Sequence, residues 1–326
     1  MKTSRLIRRI LEVLRESSTL CVVGHVRPDG DCVGSQLALA LALKNAGKQV
    51  VCWNEDPIPR KLAFLDRKKL FRQPEPGKSF DCVVAVDCAS LERLGRVAEC
   101  IQQRKVFINI DHHRSNTRYG DINWVSPRQP STGELIFRLL RAGKYAITPP
   151  IADCLFAAIS TDTGSFQYPS TRPSTYFVAG KLVDNGADLG KVCDEVYHSY
   201  PLSRIRLLRH VLNHFRLTHG NQIAYFWLKK ADFARTGAGR EDVEGLIDHI
   251  RNIEPVVVAC VFEEVAPNEI RVSLRSKNGE VDVNEIAKEF GGGGHPAAAG
   301  ARIQGTPLSV QRRVINRIKK ALDAAK

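Results

Sequence analysis

The 326-residue sequence contains no apolar run long enough to span a lipid bilayer, so we expect no membrane-spanning segment. Its first residues form an amphipathic stretch interrupted by Arg8, Arg9 and Arg15, which differs from the apolar core of a signal peptide. The nine cysteines include no CxxC pair and fall mostly in apolar segments, which predicts reduced, buried thiols and excludes a zinc cage. We therefore expect a cytoplasmic protein with no membrane partner.

Positive charge is what the sequence has in excess, because 48 lysines and arginines face 35 acidic residues and give a formal net charge of +13. Such a charge favours a polyanionic partner, with nucleotides or nucleic acid ahead of a membrane surface. The alternative is that the basic residues only cover solvated helix faces, since residues 60–72, 204–216 and 312–320 carry them at roughly helical spacing. The charge supports an anionic ligand without naming it.

Apolar runs that resemble strands alternate with helical patterns in the first part of the chain. The four runs are Thr19 to Val23, Gln49 to Trp53, Asp81 to Val86 and Lys105 to Ile110. This alternation predicts an α/β domain with a largely parallel sheet over residues 1–188. Residues 189–221 have a polar helical pattern and are predicted to connect the domains, and residues 222–326 are predicted to form a smaller α+β domain.

A histidine and two aspartates crowd the segment between the first strand and the helix that follows it. These residues are His25, Asp29 and Asp31, and we expect Ser35 to open the helix. Neighbouring carboxylates raise each other's pKa unless a cation neutralises them, so a divalent metal ion is a natural occupant. The alternative is that the two aspartates only shape the turn and cap the helix.

Acidic and imidazole side chains also follow later apolar elements. Asp87 follows the third strand, Asp111, His112 and His113 follow the fourth, and Asp162 follows an apolar helix. Because the carboxyl ends of parallel strands meet at one edge of a sheet, we expect these residues to lie near the first cluster. Mixed nitrogen and oxygen ligands favour Mn²⁺, Mg²⁺, Fe²⁺ or Co²⁺ over a structural zinc. Six ligands suit two ions that share a carboxylate. The candidate set is His25, Asp29, Asp31, Asp87, His112 and Asp162.

Four consecutive glycines precede His295 in the C-terminal part of the chain. Glycine permits close approach of the backbone to a ligand, so Gly293 and Gly294 are candidates for cradling a phosphate with main-chain N–H groups. A flexible hinge is the alternative. A nearby predicted strand carries Arg275, whose planar guanidinium suits a phosphate.

Taken in chain order, these motifs resemble those of the DHH phosphoesterase superfamily and of its DHH-associated C-terminal domain. The resemblance implies that His25, Asp29 and Asp87 hold one manganese ion. It implies that Asp31, Asp87, His112 and Asp162 hold a second ion, with Asp87 shared. His113 would contact the scissile phosphate, and Asp111 would orient its neighbours. Arg275, Ser276 and His295 match the family's substrate-binding positions.

Length and domain content are most similar to members of that superfamily that degrade short oligoribonucleotides and remove the 3′-phosphate of pAp. The hypothesis is that a hydroxide bridging two Mn²⁺ ions attacks phosphorus in line, with Mg²⁺ or Co²⁺ as alternative ions. A cyclic-dinucleotide phosphodiesterase is the alternative enzyme, and a nucleotide-binding module without catalysis is the alternative of another class. The expected partners are short single-stranded RNA and pAp, with cyclic or linear dinucleotides and a homodimer left open.

Overall fold

The computed structural model describes residues 4–277 and 279–324. Contacts within the chain divide it into two units, Met1–Ser199 and Tyr200–Lys326, and the division falls inside the segment predicted as a connector. Across the described ranges, no helix combines the length and the apolar character needed to cross a membrane. All nine cysteines are free thiols and seven are buried, which confirms the prediction from their sequence context.

A six-stranded sheet in which every neighbouring pair is parallel forms the centre of the N-terminal unit. Its strands are β1 (Thr19–Val23), β2 (Gln49–Trp53), β3 (Phe71–Arg72), β4 (Phe80–Val86), β5 (Arg104–Asp111) and β6 (Ile122–Val125), in the order β3-β2-β1-β4-β5-β6. The predicted α/β class is therefore confirmed, and the four predicted strands end within one residue of the observed bounds.

Helices cover this sheet, and α2 and α5 are almost completely buried. The helices of the unit are α1 (Arg5–Glu16), α2 (Gly30–Asn45), α3 (Val97–Cys100), α4 (Thr132–Ala142), α5 (Pro149–Asp162), α6 (Pro173–Asp184) and α7 (Leu189–Cys193). Strand β1 sends Leu20 and Val22 into one apolar cluster and Cys21 and Val23 into another, because side chains alternate along a strand. Burial on both faces explains why its sequence is apolar throughout.

The helix α2 begins at Gly30, so the prediction that Ser35 opens it was wrong. The carboxylate of Asp29 accepts a hydrogen bond from the backbone N–H of Cys32 at 3.0 Å and caps the helix six residues before Ser35. A Cβ at Gly30 would collide with the side chain of Thr161 on α5, so a glycine lets the two helices approach closely.

The C-terminal unit has a mixed six-stranded sheet, which agrees with the predicted α+β class. Its strands are β7 (Arg216–Thr218), β8 (Ile223–Leu228), β9 (Val258–Ala266), β10 (Glu269–Ser276), β11 (Gly293–His295) and β12 (Ala298–Gln304), in the order β11-β12-β10-β9-β8-β7. Its helices are α8 (Leu202–His214), α9 (Lys230–Thr236), α10 (Leu246–Arg251), α11 (Val283–Lys288) and α12 (Pro307–Ala324). Strands β8 and β9 are parallel, and the other pairs are antiparallel.

Candidate functional site

The N-terminal candidate residues gather where three adjacent strands of the parallel sheet end. Strands β1, β4 and β5 are neighbours, and His25, Asp87 and His112 follow their carboxyl ends. Asp162 is the last residue of α5 and reaches the same group, because its Oδ2 lies 3.2 Å from Nε2 of His112. The sheet order thus brings together side chains that are as many as 137 positions apart in the chain.

Asp87 lies at the centre of this group and is only 2% exposed. Its carboxylate oxygens lie 3.5 Å from Nε2 of His25, 3.5 Å from Nε2 of His112 and 3.8 Å from Nδ1 of His113. Its backbone adopts a φ of +55°, a left-handed conformation that aspartate tolerates better than most residues. Three imidazoles therefore surround one carboxylate held by a constrained backbone.

The start of α4 fixes Asp31 and Asp87 together. The backbone N–H groups of Thr132 and Gly133 donate to the carboxylate of Asp31 at 2.6 and 2.8 Å, and the hydroxyl of Ser35 donates at 3.1 Å. The hydroxyl of Thr132 also donates to Asp87 at 3.0 Å. These bonds satisfy otherwise unpaired donors at the helix start and orient both carboxylates.

Both histidines that face the carboxylates with Nε2 turn Nδ1 toward a backbone carbonyl oxygen. Nδ1 of His25 lies 2.9 Å from the carbonyl oxygen of Val26, and Nδ1 of His112 lies 3.2 Å from that of Gln129. A carbonyl oxygen can only accept, so at His112 it favours the tautomer protonated at Nδ1 and leaves a lone pair on Nε2, as metal-ligating histidines require. At His25, Nη2 of Arg93 can only donate and also lies 3.1 Å from Nδ1, so the carbonyl of Val26 does not fix the tautomer by itself.

Asp111 is fully buried and forms an ion pair with His113. Nδ1 of His113 lies 2.8 Å from Oδ1 of Asp111. The amide of Asn116 donates to Oδ2 of Asp111 at 2.6 Å and to the carbonyl of Cys88 at 3.1 Å. These contacts agree with the predicted orienting role of Asp111.

Electrostatic conditions in the cluster favour an added cation. Burial raises the pKa of Asp31 and of Asp162 well above the ordinary range, and the charge of Asp87 raises both further. Burial also raises the pKa of Asp87, but the hydrogen bond with His25 and the charges of the neighbouring imidazoles outweigh it and lower that pKa to about 2. Burial lowers the pKa of His113, but the bond to Asp111 outweighs it and raises that pKa to about 9.

The donor set fits divalent metal ions. Three groups of side chains have ligand atoms that all lie within 4.8 Å of one another: Asp31, His112 and Asp162; Asp87, His112 and His113; and His25, Cys32 and Asp87. Asp29 fits less closely, because half of its side chain is exposed, its Oδ1 already caps α2, and that oxygen is 3.7 Å from Nε2 of His25. Its capping role is shown, and its role as a ligand stays a prediction.

In the C-terminal unit, Arg275 and His295 lie in one row across three strands. Arg275 on β10 and His295 on β11 both pair with Ala298 of β12 between them. Directly paired residues project to the same face of a sheet, so the two side chains flank a small alanine. The neighbouring Ser276 is 2% exposed, and its hydroxyl accepts a hydrogen bond from the N–H of Val281.

The glycine run has a packing reason. A Cβ at Gly292 would collide with the carbonyl oxygen of Gly300, and one at Gly294 would collide with that of Ala298. The N–H of Gly294 also donates to the side chain of Asn284 at 2.8 Å. The segment is therefore partly an edge strand rather than a free hinge, while Gly293 is exposed and allows closer approach from outside.

Several residues at the N-terminal cluster were not singled out from the sequence. Thr132 and Asn116 bind the carboxylates, and Nη2 of Arg93 lies 3.1 Å from Nδ1 of His25. The sequence of Ser131 to Glu134 indicates only a helix cap, and Ser131 does accept the N–H of Glu134. No periodic pattern marks Asn116 or Arg93, because both lie in irregular or short elements.

Comparison with known proteins places both units in described families. Residues 19–159 match the DHH family, N-terminal domain, and residues 220–326 match the DHHA1 domain. The bifunctional oligoribonuclease and PAP phosphatase NrnA of Thermus thermophilus is 33% identical over 325 residues, covering 98% of this chain and 95% of that protein.

Solved structures give the same picture for the fold. An exopolyphosphatase-related protein from Bacteroides fragilis has a TM-score of 0.90 at 27% identity, covering 98% of this chain and 97% of that one. RecJ from Thermus thermophilus, solved in complex with Mn²⁺, has a TM-score of 0.53 at 16% identity, covering 97% of this chain and 54% of that one. The second likeness concerns the fold alone.

Proposed function

We propose that this chain, which belongs to the DHH family and is a phosphoric ester hydrolase, degrades short oligoribonucleotides to mononucleotides and removes the 3′-phosphate of pAp. The observation that carries the proposal is the convergence of His25, His112 and His113 on the carboxylate of Asp87. The name of the Thermus thermophilus relative supplies the substrates, since it is a bifunctional oligoribonuclease and PAP phosphatase.

Two manganese ions are the proposed cofactors. His25, Asp29 and Asp87 would hold one, and Asp31, Asp87, His112 and Asp162 would hold the other. Bound divalent ions would lower the pKa of water and neutralise negative charge that develops on the phosphate. The mixed imidazole and carboxylate donors suit manganese, and RecJ of Thermus thermophilus has been solved in complex with Mn²⁺ and also with Mg²⁺.

The protein's own side chains would position the substrate and the ligands. The raised pKa of His113 keeps its imidazole positively charged at neutral pH, which suits a contact with an oxygen of the scissile phosphate. Asp111 fixes that ring, and Thr132 fixes Asp87, so neither group has to reorganise when substrate binds. We also propose that Arg275, Ser276, Gly293, Gly294 and His295 contact the substrate.

The test supplies purified protein with Mn²⁺ and, side by side, the dinucleotide pApA, pAp and a cyclic dinucleotide. We expect AMP from pApA and inorganic phosphate from pAp, and loss of both products when EDTA replaces the metal. Parallel reactions with Mg²⁺ and Co²⁺ rank the ions. Opening of the cyclic compound with pApA and pAp left intact would replace the proposal with a cyclic-dinucleotide phosphodiesterase. Binding without hydrolysis of any compound would replace it with a nucleotide-binding module.

A further inference from the structure

Two exposed tyrosines and a half-buried phenylalanine lie on the segment that follows α5 and in the first turn of α6. We call the group of Phe166, Tyr168 and Tyr176 the aromatic shelf. Tyr168 is 49% exposed and Tyr176 is 59% exposed. The rings of Phe166 and Tyr176 are stacked, with centroids 5.6 Å apart and planes inclined by 25°. Large aromatic faces in water are costly unless a partner covers them, so this group requires an explanation.

Tyr168 of the shelf belongs to the same short segment as Asp162 of the candidate metal centre. A Cβ placed on Gly164 would be 2.5 Å from Cζ of Tyr168, so the ring of Tyr168 packs on the Cα of that glycine. Gly164 is two residues after Asp162, and consecutive Cα atoms are 3.8 Å apart, so their Cα atoms are separated by at most about 7.6 Å. The ring and the carboxylate that faces His112 therefore belong to one short segment.

This segment is held in a fixed shape. Gly164, Ser165 and Phe166 all have positive φ, at 55°, 57° and 65°. The hydroxyl of Thr163 accepts the N–H of Phe166 at 3.0 Å, and the carbonyl of Thr163 accepts the N–H of Tyr168 at 2.9 Å. Successive left-handed residues are unfavourable outside glycine, and such strain is found most often at functional sites.

A second contact links the shelf to the metal centre through another helix. The N–H of Arg172, between Tyr168 and Tyr176, donates to the hydroxyl of Thr175 at 3.1 Å and starts α6. Burial raises the pKa of Glu134 in the first turn of α4, and the hydroxyl of Thr175 and the charge of Arg172 are near enough to oppose that rise. The N–H of Gly133, one residue earlier, donates to Asp31. The shelf thus adjoins both helices that position the acidic cluster.

The charge around the shelf suits an anionic aromatic ligand. Arg172, which lies between Tyr168 and Tyr176 in the chain, is exposed. Aromatic rings stack on nucleobases of any sequence, and arginines attract the accompanying phosphates. A nucleotide therefore suits this surface better than an apolar peptide does, because a peptide of that kind would contact the rings but leave the exposed guanidinium group without a partner in the ligand.

From these contacts we propose that the aromatic shelf binds a nucleobase of the substrate, with Tyr168 as the stacking ring nearest the reacting phosphate. This inference rests on the proposed function and adds a subsite to it. The ligand class is a nucleotide or a short single-stranded oligonucleotide whose base flanks the phosphate held at the metal centre. We expect little preference for one base over another, because a stacked ring contacts the face of a base and not the hydrogen-bonding groups on its edge.

The test compares pApA with its abasic counterpart, which keeps the sugar-phosphate chain but lacks both bases. We expect Tyr168→Leu to raise KM for pApA about tenfold, to change kcat little and to leave the abasic compound unaffected. Tyr168→Phe, which retains the ring, should behave like the unmodified protein. Leucine covers Gly164 with apolar atoms, so this variant preserves the packing of the segment. Tyr200→Leu alters an equally exposed tyrosine in the C-terminal unit and should have no effect.

A second readout does not depend on turnover. A 2-aminopurine analogue of pAp should lose fluorescence on binding to the unmodified protein and to Tyr168→Phe, but not to Tyr168→Leu at matched occupancy. Equal KM values for Tyr168→Leu and the unmodified protein, or equal quenching, would overturn the inference while leaving hydrolysis intact. Absence of hydrolysis by the unmodified protein would overturn the proposed function, and the quenching experiment would still decide whether the shelf binds a base.

Discussion

The two units hold their candidate functional side chains under opposite conditions. In the N-terminal unit, Asp31 and Asp87 are buried beside one another, and hydrogen bonds fix each carboxylate. In the C-terminal unit, Arg275 is partly exposed and His295 is exposed along one row of a sheet. The first arrangement is costly to fold without a compensating cation, whereas the second adds little strain. Substitutions of the candidate residues are therefore expected to change both activity and folding stability in the N-terminal unit, but activity alone in the C-terminal unit.

The largest expected effect comes from Asp87→Asn. Asparagine tolerates the left-handed backbone and keeps the shape of the side chain, but it removes the charge on which three imidazoles converge. We expect hydrolysis of pApA to fall at least about 1,000-fold, measured as AMP released per minute. Asp184→Asn changes an exposed carboxylate on α6 and serves as the control. Near-normal activity of the Asp87→Asn variant would contradict the view that the buried carboxylates of the N-terminal unit are required for hydrolysis.

Manganese binding should protect one unit and not the other. At a Mn²⁺ concentration 100 times the Kd, the expected stabilisation is about 2.7 kcal/mol. Amide hydrogen exchange followed by mass spectrometry should slow for residues 24–36 and 131–136, and it should stay unchanged for residues 270–276. The Asp87→Asn variant should lose most of the protection. Uniform slowing across both units would contradict a metal centre confined to the first.

Arg275→Ala tests the expectation that a partly exposed residue of the C-terminal unit contributes to substrate binding without contributing to stability. Loss of a charge-assisted contact with substrate should raise KM for pAp roughly 30-fold, with kcat and the unfolding midpoint nearly unchanged. Arg302→Ala removes an arginine of the same sheet that pairs with Glu269, and it should leave KM unaltered. A fall in kcat with KM preserved would assign Arg275 to the reaction itself.

The smallest effect is a gain of stability from Asp162→Asn in metal-free protein. The folded pKa of Asp162 is raised, so ionising this carboxyl costs more in the folded state than in the unfolded chain. The unmodified protein should therefore lose stability as pH rises from about 4 toward 7, by about 1.4 kcal/mol for each unit of raised pKa. The variant should show a smaller loss, because the raised pKa of Asp31 still contributes, and Asp184→Asn should retain the full loss. Urea unfolding at pH 5 and pH 7 in EDTA measures the difference.

Much of the N-terminal unit could be predicted because its signals are local or topological. Continuous apolar runs such as Thr19 to Val23 indicate strands buried on both faces, and parallel strands bring Asp87 and His112 to one edge. The contacts of Asp31 with Thr132 and Gly133 could not be predicted, since they join positions about 100 residues apart without a recurring pattern. The start of α2 was misplaced because Ser35 and Asp29 are both acceptable helix caps.

In the C-terminal unit, the alternation of side chains along a strand distinguishes two residues that the family resemblance assigned to the same role. Arg275 and Ser276 are consecutive on β10, so their side chains point to opposite faces. Ser276 bonds to Val281 in the interior, and its contact with substrate stays a prediction. The register that aligns Arg275 with His295 through Ala298 depends on how β11 joins the sheet, which three residues of sequence cannot specify.

The hydrogen bonds from the start of α4 to Asp31 also bear on protein synthesis. A ribosome makes Asp31 about 100 residues before it makes Gly133, so a nascent chain lacks these two donors until most of the first unit has left the exit tunnel. Until then the aspartate cannot hold its final orientation. The acidic cluster is therefore complete only late in the synthesis of the first unit, because Asp162 is made later still.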